Sequence, residues 1–241
     1  MILYPAIDIL DGHAVRLVQG DFEQRTQYAA DPLAAARAWR AAGAQRLHVV
    51  DLDGARAGAP VNLEHVARIA ADTGLPVQLG GGLRSSAAIE DALAAGARRI
   101  VLGTAAFADE ALLEHAVAAH GDAVVVSVDV RGGMVSTAGW TQTGTLAALD
   151  AVRALVAKGV RRFVYTDVDR DGMLGGLDLA AIASVADAVE GELLYSGGIG
   201  SLEDLAALVA LRHPRLAGVI AGKALYEGRF TVADATEALC S

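Results

Sequence analysis

Short apolar runs rich in Val, Ile and Leu recur along the chain, each ending at a Gly- or Asp-bearing turn and followed by an Ala/Leu-rich stretch of helical spacing. Runs of this length without polar alternation suit strands buried on both faces, and their regular exchange with helical stretches predicts a parallel sheet with helices outside it. Eight such units are legible, with strands expected at 2–8, 46–51, 76–80, 98–103, 123–129, 161–167, 192–196 and 217–221. Their helices are expected to begin near Asp31, Asn62, Ser86, Asp109, Thr145, Asp178, Ser201 and Thr231, several of which are good N-cap types. Eight units with no interrupting linker favour closure, so the expected fold is α/β, a single (β/α)8 TIM barrel domain over 1–241.

The two halves of the chain resemble each other. Asp8 ends the first strand and Asp129 the fifth; GGGLRS (80–85) corresponds to SGGIGS (196–201), LGTAAF (102–107) to AGKALY (221–226), and VVDLDGA (49–55) to YTDVDRDG (165–172). A two-fold half-barrel repeat is therefore expected, which would place each feature of the barrel mouth again on the opposite wall.

Composition narrows the classes. Although 54% of residues are hydrophobic, no apolar run approaches the roughly 18 residues needed to span a bilayer. The opening MILYPAIDIL has no basic leader and meets Asp8, so it reads as a buried strand rather than a signal peptide or anchor. A lone cysteine, Cys240, suits a reducing, cytoplasmic compartment. The net charge of −9 and the absence of a basic run argue against nucleic acid, and the expected partner is a small molecule bound by a monomer.

Asp8 and Asp129 stand at the C-terminal ends of their strands, where the catalytic groups of such barrels gather. A single Asp there ordinarily caps a loop, but two at matched positions suggest an acid/base pair. Gly81 and Gly82, with Gly103 and Thr104, form one candidate phosphate cradle; Gly197 and Gly198, with Gly222 and Lys223, form a second. Arg16 could reach a phosphate or carboxylate, Trp140 could stack on a flat heterocycle as a lid, and Thr166 and Asp171 could contact a sugar or orient Asp129. Asp51 and Asp53, counterparts of this last segment, serve equally well as turn residues. Six scattered histidines make no metal motif, and neither a nucleophile elbow, a P-loop nor a Rossmann fingerprint is present, so chemistry without a cofactor is expected.

The segments PAIDILDGHAVRLVQGDF, LHVVDLDGA, QLGGGLRS, VLGTAAF, DVRGGMVSTAGW, YTDVDRDGMLGG, SGGIGSLEDL and GVIAGKALYEG resemble, over nearly the whole chain, the phosphoribosylformimino-5-aminoimidazole carboxamide ribotide isomerase family of histidine biosynthesis. The resemblance implies an Amadori rearrangement of an N-linked, doubly phosphorylated aminoaldose (ProFAR) to the aminoketose (PRFAR), without metal or coenzyme. It implies that Asp8 removes the C2′ proton, that Asp129 protonates the ring oxygen and that Thr166 and Asp171 assist. Trp140 would close over the imidazole, with Gly82, Gly103 and Thr104 on one phosphate and Gly198, Gly222 and Lys223 on the other.

The bifunctional isomerase that also accepts phosphoribosylanthranilate is similar at VRLVQG, TDVDRDGMLGG and GKALY, but carries an arginine where this chain has Ala138. That arginine would pair with the anthranilate carboxylate, so its absence argues against the second activity. A dedicated phosphoribosylanthranilate isomerase is disfavoured because its cysteine base after the first strand is missing. The related cyclase subunit carries a catalytic lysine after strand one, whereas no lysine precedes Lys158 here. A non-catalytic phosphosugar-binding barrel would keep both cradles without needing both aspartates.

Overall fold

The computed structural model describes residues 1–240 apart from Gln19, Ala138 and Gly175. β1 (Ile2–Leu10) runs into an antiparallel hairpin, β2 (His13–Val18) and β3 (Asp21–Ala29), before α1 (Pro32–Ala41). There follow β4 (Leu47–Asp51) with α2 (Leu52–Ala57) and α3 (Leu63–Thr73), β5 (Val77–Gly80) with α4 (Ser86–Ala94), and β6 (Ala97–Leu102) with α5 (Thr104–Ala108) and α6 (Glu110–His120). β7 (Val124–Arg131) carries a second hairpin, β8 (Met134–Thr137) and β9 (Gln142–Ala147), ahead of α7 (Ala148–Ala157). The last units are β10 (Arg162–Asp167) with α8 (Leu179–Ala188), β11 (Glu192–Ser196) with α9 (Leu202–Ala210), and β12 (Leu216–Ala221) with α10 (Lys223–Tyr226) and α11 (Val232–Cys240).

Strands β1, β4, β5, β6, β7, β10, β11 and β12 pair in parallel in that order, and β12 returns to β1. The sheet is closed, as the eight apolar runs led us to expect, and closure removes the exposed edges that an open sheet would present. Burial on both faces explains why those runs lack alternation. Tyr4, Ala6, Val101, Val125, Val164, Leu194 and Ile220 fill the barrel interior. Their strand neighbours Leu3, Ile7, Ile100, Val126, Phe163, Leu193 and Val219 face outward into the core shared with the helices, which contribute Ile69, Ile89, Leu113, Val152 and Leu205.

Strand parity then decides where the polar residues point, because residues two apart share a face. Counting from Tyr4 and Ala6 brings Asp8 into the lumen; counting from Val125 brings Ser127 and Asp129, and from Val164, Thr166. The opposite, N-terminal end is plugged by the same rule: Arg99 donates to the Tyr4 hydroxyl at 3.2 Å and to Glu192 at 2.8 Å, and Arg162 reaches Glu192 at 3.2 Å.

Helix starts follow the expected caps in most units. Asp31 accepts from Leu33 N with Pro32 in the first turn, and Ser201 forms a reciprocal capping box with Asp204. Thr145 is a correction: it lies within β9, and α7 starts at Ala148 with no side-chain cap. Its segment pairs with β8 at Ser136↔Thr143 and Thr137↔Gln142, and a threonine serves a strand as well as a cap. The two hairpins lie outside the eight strands expected from the sequence. β3 in particular is mostly exposed and has no apolar face, so its pairing to β2 leaves no hydrophobic period to read.

Candidate active site

Asp8 lies next to the last barrel-paired residue of β1, Ile9; its register partners are Val50 on β4 and Val15 on β2. Its carboxylate accepts from Arg16 Nη1 at 2.8 Å, both side chains being largely buried. Burial pushes the Asp8 carboxyl above its ordinary range, and the Arg16 charge and hydrogen bond oppose the rise. Across the mouth, Asp129 pairs in register with Thr166. Its Oδ1 accepts from Ser127 at 2.5 Å and its Oδ2 from the Trp140 indole at 2.8 Å. Burial raises this carboxyl too, against the hydrogen bonds of Ser127, Trp140 and Thr166.

The two acids thus differ in kind. Asp8 is held by a cation, whereas the donors on Asp129 are neutral. An ion pair favours the ionised carboxylate more than neutral donors do, so the two carboxyls sit in unlike electrostatic surroundings. Ser127 was not foreseen from the sequence; the available signal was its place two residues before Asp129, on the same face of one strand.

Arg16 leaves β2 and lies directly against Gly222, whose missing side chain leaves room for the guanidinium: a Cβ there would overlap its Cζ. Arg16 thereby joins Asp8 to a cleft also lined by Asp171, Gly197, Gly198, Gly222 and Lys223. Lys223 Nζ donates to the Gly172 carbonyl at 2.8 Å, with Glu227 3.9 Å away. The sequence-selected residues of the second cradle therefore share one cleft with Asp171 and Arg16.

The glycine turns of the two cradles have nearly the same backbone. Gly81 and Gly82 have φ of 105° and 73°, Gly197 and Gly198 have 98° and 74°, and the caps Ser85 and Ser201 have φ/ψ of −151°/159° and −150°/169°. The four glycine values are left-handed ones that glycine adopts without strain, while the two serine caps are extended. A Cβ on Gly81 would strike the Asp51 carbonyl and one on Gly197 the Asp167 carbonyl. Gly103 caps α5 with open space where its side chain would be, and Thr104 is the first residue of that helix. Asp51 and Asp53 do the turn work that was their plainer alternative: Asp51 accepts from the amides of Gly54, Val61 and Asn62, and the Asn62 side chain bridges both carboxylates.

Burial pushes Asp171 up to about 6, with Asp8 and Asp129 adding to the rise and Arg16 and Lys223 opposing it. Because this folded-state value lies above the ordinary 3.8, the carboxyl costs no stability when protonated in both states; a penalty develops as pH rises from 3.8 towards about 6 and is complete above that. Asp171→Asn is therefore expected to stabilise the protein near pH 8 by about 2 kcal/mol, allowing for partial exposure, and to leave it unchanged near pH 4. Thermal unfolding at the two pH values checks this; equal differences at both would remove burial of the charge as the cause.

Trp140 has a left-handed φ of 71°, and its carbonyl accepts from Arg131 at 3.1 Å. Ala138, on which the distinction from the bifunctional relative rests, lies outside the described residues. Among the described residues no cluster of three or more His, Cys, Asp or Glu side chains is placed to hold a metal, and no helix is long and apolar enough to cross a membrane.

A family of histidine biosynthesis proteins matches residues 2–231. Two of the similar proteins are named 1-(5-phosphoribosyl)-5-((5-phosphoribosylamino)methylideneamino)imidazole-4-carboxamide isomerase. The one from Roseiflexus castenholzii is 46% identical over 238 residues, covering 99% of this chain and 99% of its own. The other, from Paramagnetospirillum magneticum, is 48% identical over 235 residues, covering 98% of each chain. A match of this extent, running through every strand of the barrel, shows that the chain belongs to the histidine biosynthesis protein family.

Proposed function

We propose that this protein is the isomerase its relatives are named for, converting the imidazole-carboxamide aminoaldose ProFAR to the aminoketose PRFAR by an Amadori rearrangement. The observation that carries the reading is the pair of buried, inward-pointing carboxyls at one end of the barrel, one ion-paired to Arg16 and the other on neutral donors. In this mechanism Asp129 gives a proton to the ribose ring oxygen as the C1′–O bond breaks, and the nitrogen lone pair forms the C1′=N double bond. Asp8 then takes the C2′ proton, and the resulting enamine tautomerises to the ketone at C2′. Thr166 orients Asp129, and Asp171 contacts the opened sugar.

The phosphates occupy the two cradles, Gly81, Gly82, Gly103 and Thr104 on one side and Arg16, Gly197, Gly198, Gly222 and Lys223 on the other. Backbone N–H groups of such turns bind anions irrespective of the overall negative charge. Trp140 closes over the imidazole. The barrel is built of two like halves, a reading supported by the nearly equal turn dihedrals and by the hairpins that follow β1 and β7. The chain acts as one domain, a cytoplasmic monomer working on a small molecule with no cofactor, nucleic acid or membrane.

A steady-state assay with ProFAR and, separately, phosphoribosylanthranilate tests the reading. Turnover of ProFAR alone is expected. Comparable turnover of both would make the protein bifunctional, and tight binding of ProFAR without turnover would leave a non-catalytic phosphosugar-binding barrel.

A further inference from the structure

The hairpins that follow β1 and β7 touch over the barrel mouth. Gly20 lies between β2 and β3 with φ +77°, and an added Cβ would come within 2.7 Å of Trp140 Cε3 and 3.4 Å of Cδ2 and Cζ3. The benzene half of the indole therefore rests on the bare backbone of Gly20. Its pyrrole N–H meets Asp129 Oδ2 at 2.8 Å. On its own side of the barrel the backbone of this hairpin is held as well: Arg131 donates to the Trp140 carbonyl, and Asp169 receives Arg131 at 3.6 Å and the Gly132 amide at 2.9 Å.

We propose that Gly20 is a positioning residue, a side-chain-free seat on the first hairpin that aims the Trp140 N–H from the second hairpin onto Asp129. The idea rests on the acid role assigned to Asp129 above. The chemistry of the contact makes the aim matter. An indole N–H can only donate, so the Asp129 oxygen facing it cannot present a proton in that direction. Ser127, by contrast, can donate or accept. The seated indole thus keeps Oδ2 as an acceptor and leaves the Ser127 side for the proton. Other groups facing Asp129 are Thr166 on β10 and Asp171 beyond it; Asp8, across the mouth, is engaged by Arg16. None of them lies on the β2–β3 turn, so among the described residues the indole is what links Gly20 to Asp129.

The test uses full-length protein in a Trp39→Phe background, so that emission reports Trp140. Gly20→Ala is compared with Gly133→Ala, which has a similar φ of +81° but nothing within 4 Å of its added Cβ. Acrylamide quenching of the ligand-free protein is expected to rise severalfold in Gly20→Ala and to stay at the parent level in Gly133→Ala. Displacing a catalytic partner by about 1 Å can cost up to about 100-fold in rate, and a loss of kcat/KM of about tenfold or more is expected for Gly20→Ala. Loss of one neutral donor should also move the descending limb of the kcat/KM profile up by roughly half a pH unit to one unit. Trp140→Phe should produce the same shift, and adding Gly20→Ala to it should produce no more. Unchanged quenching in Gly20→Ala overturns the proposal, as does a further pH shift in the double variant. If the parent protein fails to turn over ProFAR, the functional reading falls while the quenching comparison still decides the seat.

Discussion

Asp8→Asn and Asp129→Asn are each expected to lower kcat for ProFAR by about 10²- to 10⁴-fold, the range that positioned acid/base groups contribute. The two losses carry different signatures. In the proposed mechanism Asp8 works ionised, so its removal is expected to abolish the ascending limb of the pH profile; Asp129 works protonated there, so its removal is expected to abolish the descending limb. Asparagine keeps the shape and an acceptor oxygen in both places, so the Arg16 contact to position 8 and the Ser127 and Trp140 contacts to position 129 can persist. Circular dichroism close to the parent's is expected beside the rate losses. A variant that retains a tenth of parental kcat would show that its carboxyl is not transferring a proton.

Arg16→Ala is expected to be nearly as damaging, for two separable reasons. Burial already raises the Asp8 carboxyl and Arg16 restrains it, so without the guanidinium the acid rises further. The sign follows directly: a base that must be ionised becomes available only at higher pH, and the ascending limb of kcat/KM moves to the alkaline side. Arg16 also lines the cleft of Gly197, Gly198, Gly222 and Lys223, so KM for the phosphorylated substrate rises as well. Arg16→Lys keeps a charge but loses the planar fork and the flat packing against Gly222. It should recover part of the pH shift and little of the affinity. A kcat/KM profile of Arg16→Ala that overlays the parent's after scaling would show that Arg16 serves substrate binding alone.

Much of the candidate site's local geometry was legible along the chain because its parts are local. A strand ending in Asp, a Gly–Gly turn before a helix and a Gly–Thr or Gly–Lys at the next strand end each carry their own signature within a few residues, and Gly81, Gly82, Gly197 and Gly198 take up the left-handed backbone that such turns require. Asp51 and Asp53 show the limit of that kind of reading. They align with Asp167 and Asp169 of the matching segment rather than with Thr166 or Asp171, and their oxygens are consumed by backbone amides and by Asn62. Which of two matched acidic loops is spent on its own turn depends on the residues that fold back onto it, here Val61 and Asn62, ten and eleven positions on from Asp51.

Eight buried strands, their helices, most caps and the direction of Asp8 and Asp129 into one lumen were all set by hydrophobic period and parity, which are properties of neighbouring residues. The antiparallel hairpins after β1 and β7 were not, because β3 pairs through its backbone while most of its side chains face solvent and leave no period behind. Nor could spacing distinguish the ion-paired Asp8 from the neutrally bonded Asp129. Arg16 is eight residues from Asp8 and Trp140 eleven from Asp129, and only the folding back of each hairpin over the closed barrel brings those donors to their acids. The meeting of Gly20 with Trp140 lies further still from any local pattern, since it joins the first quarter of the chain to its middle across the mouth.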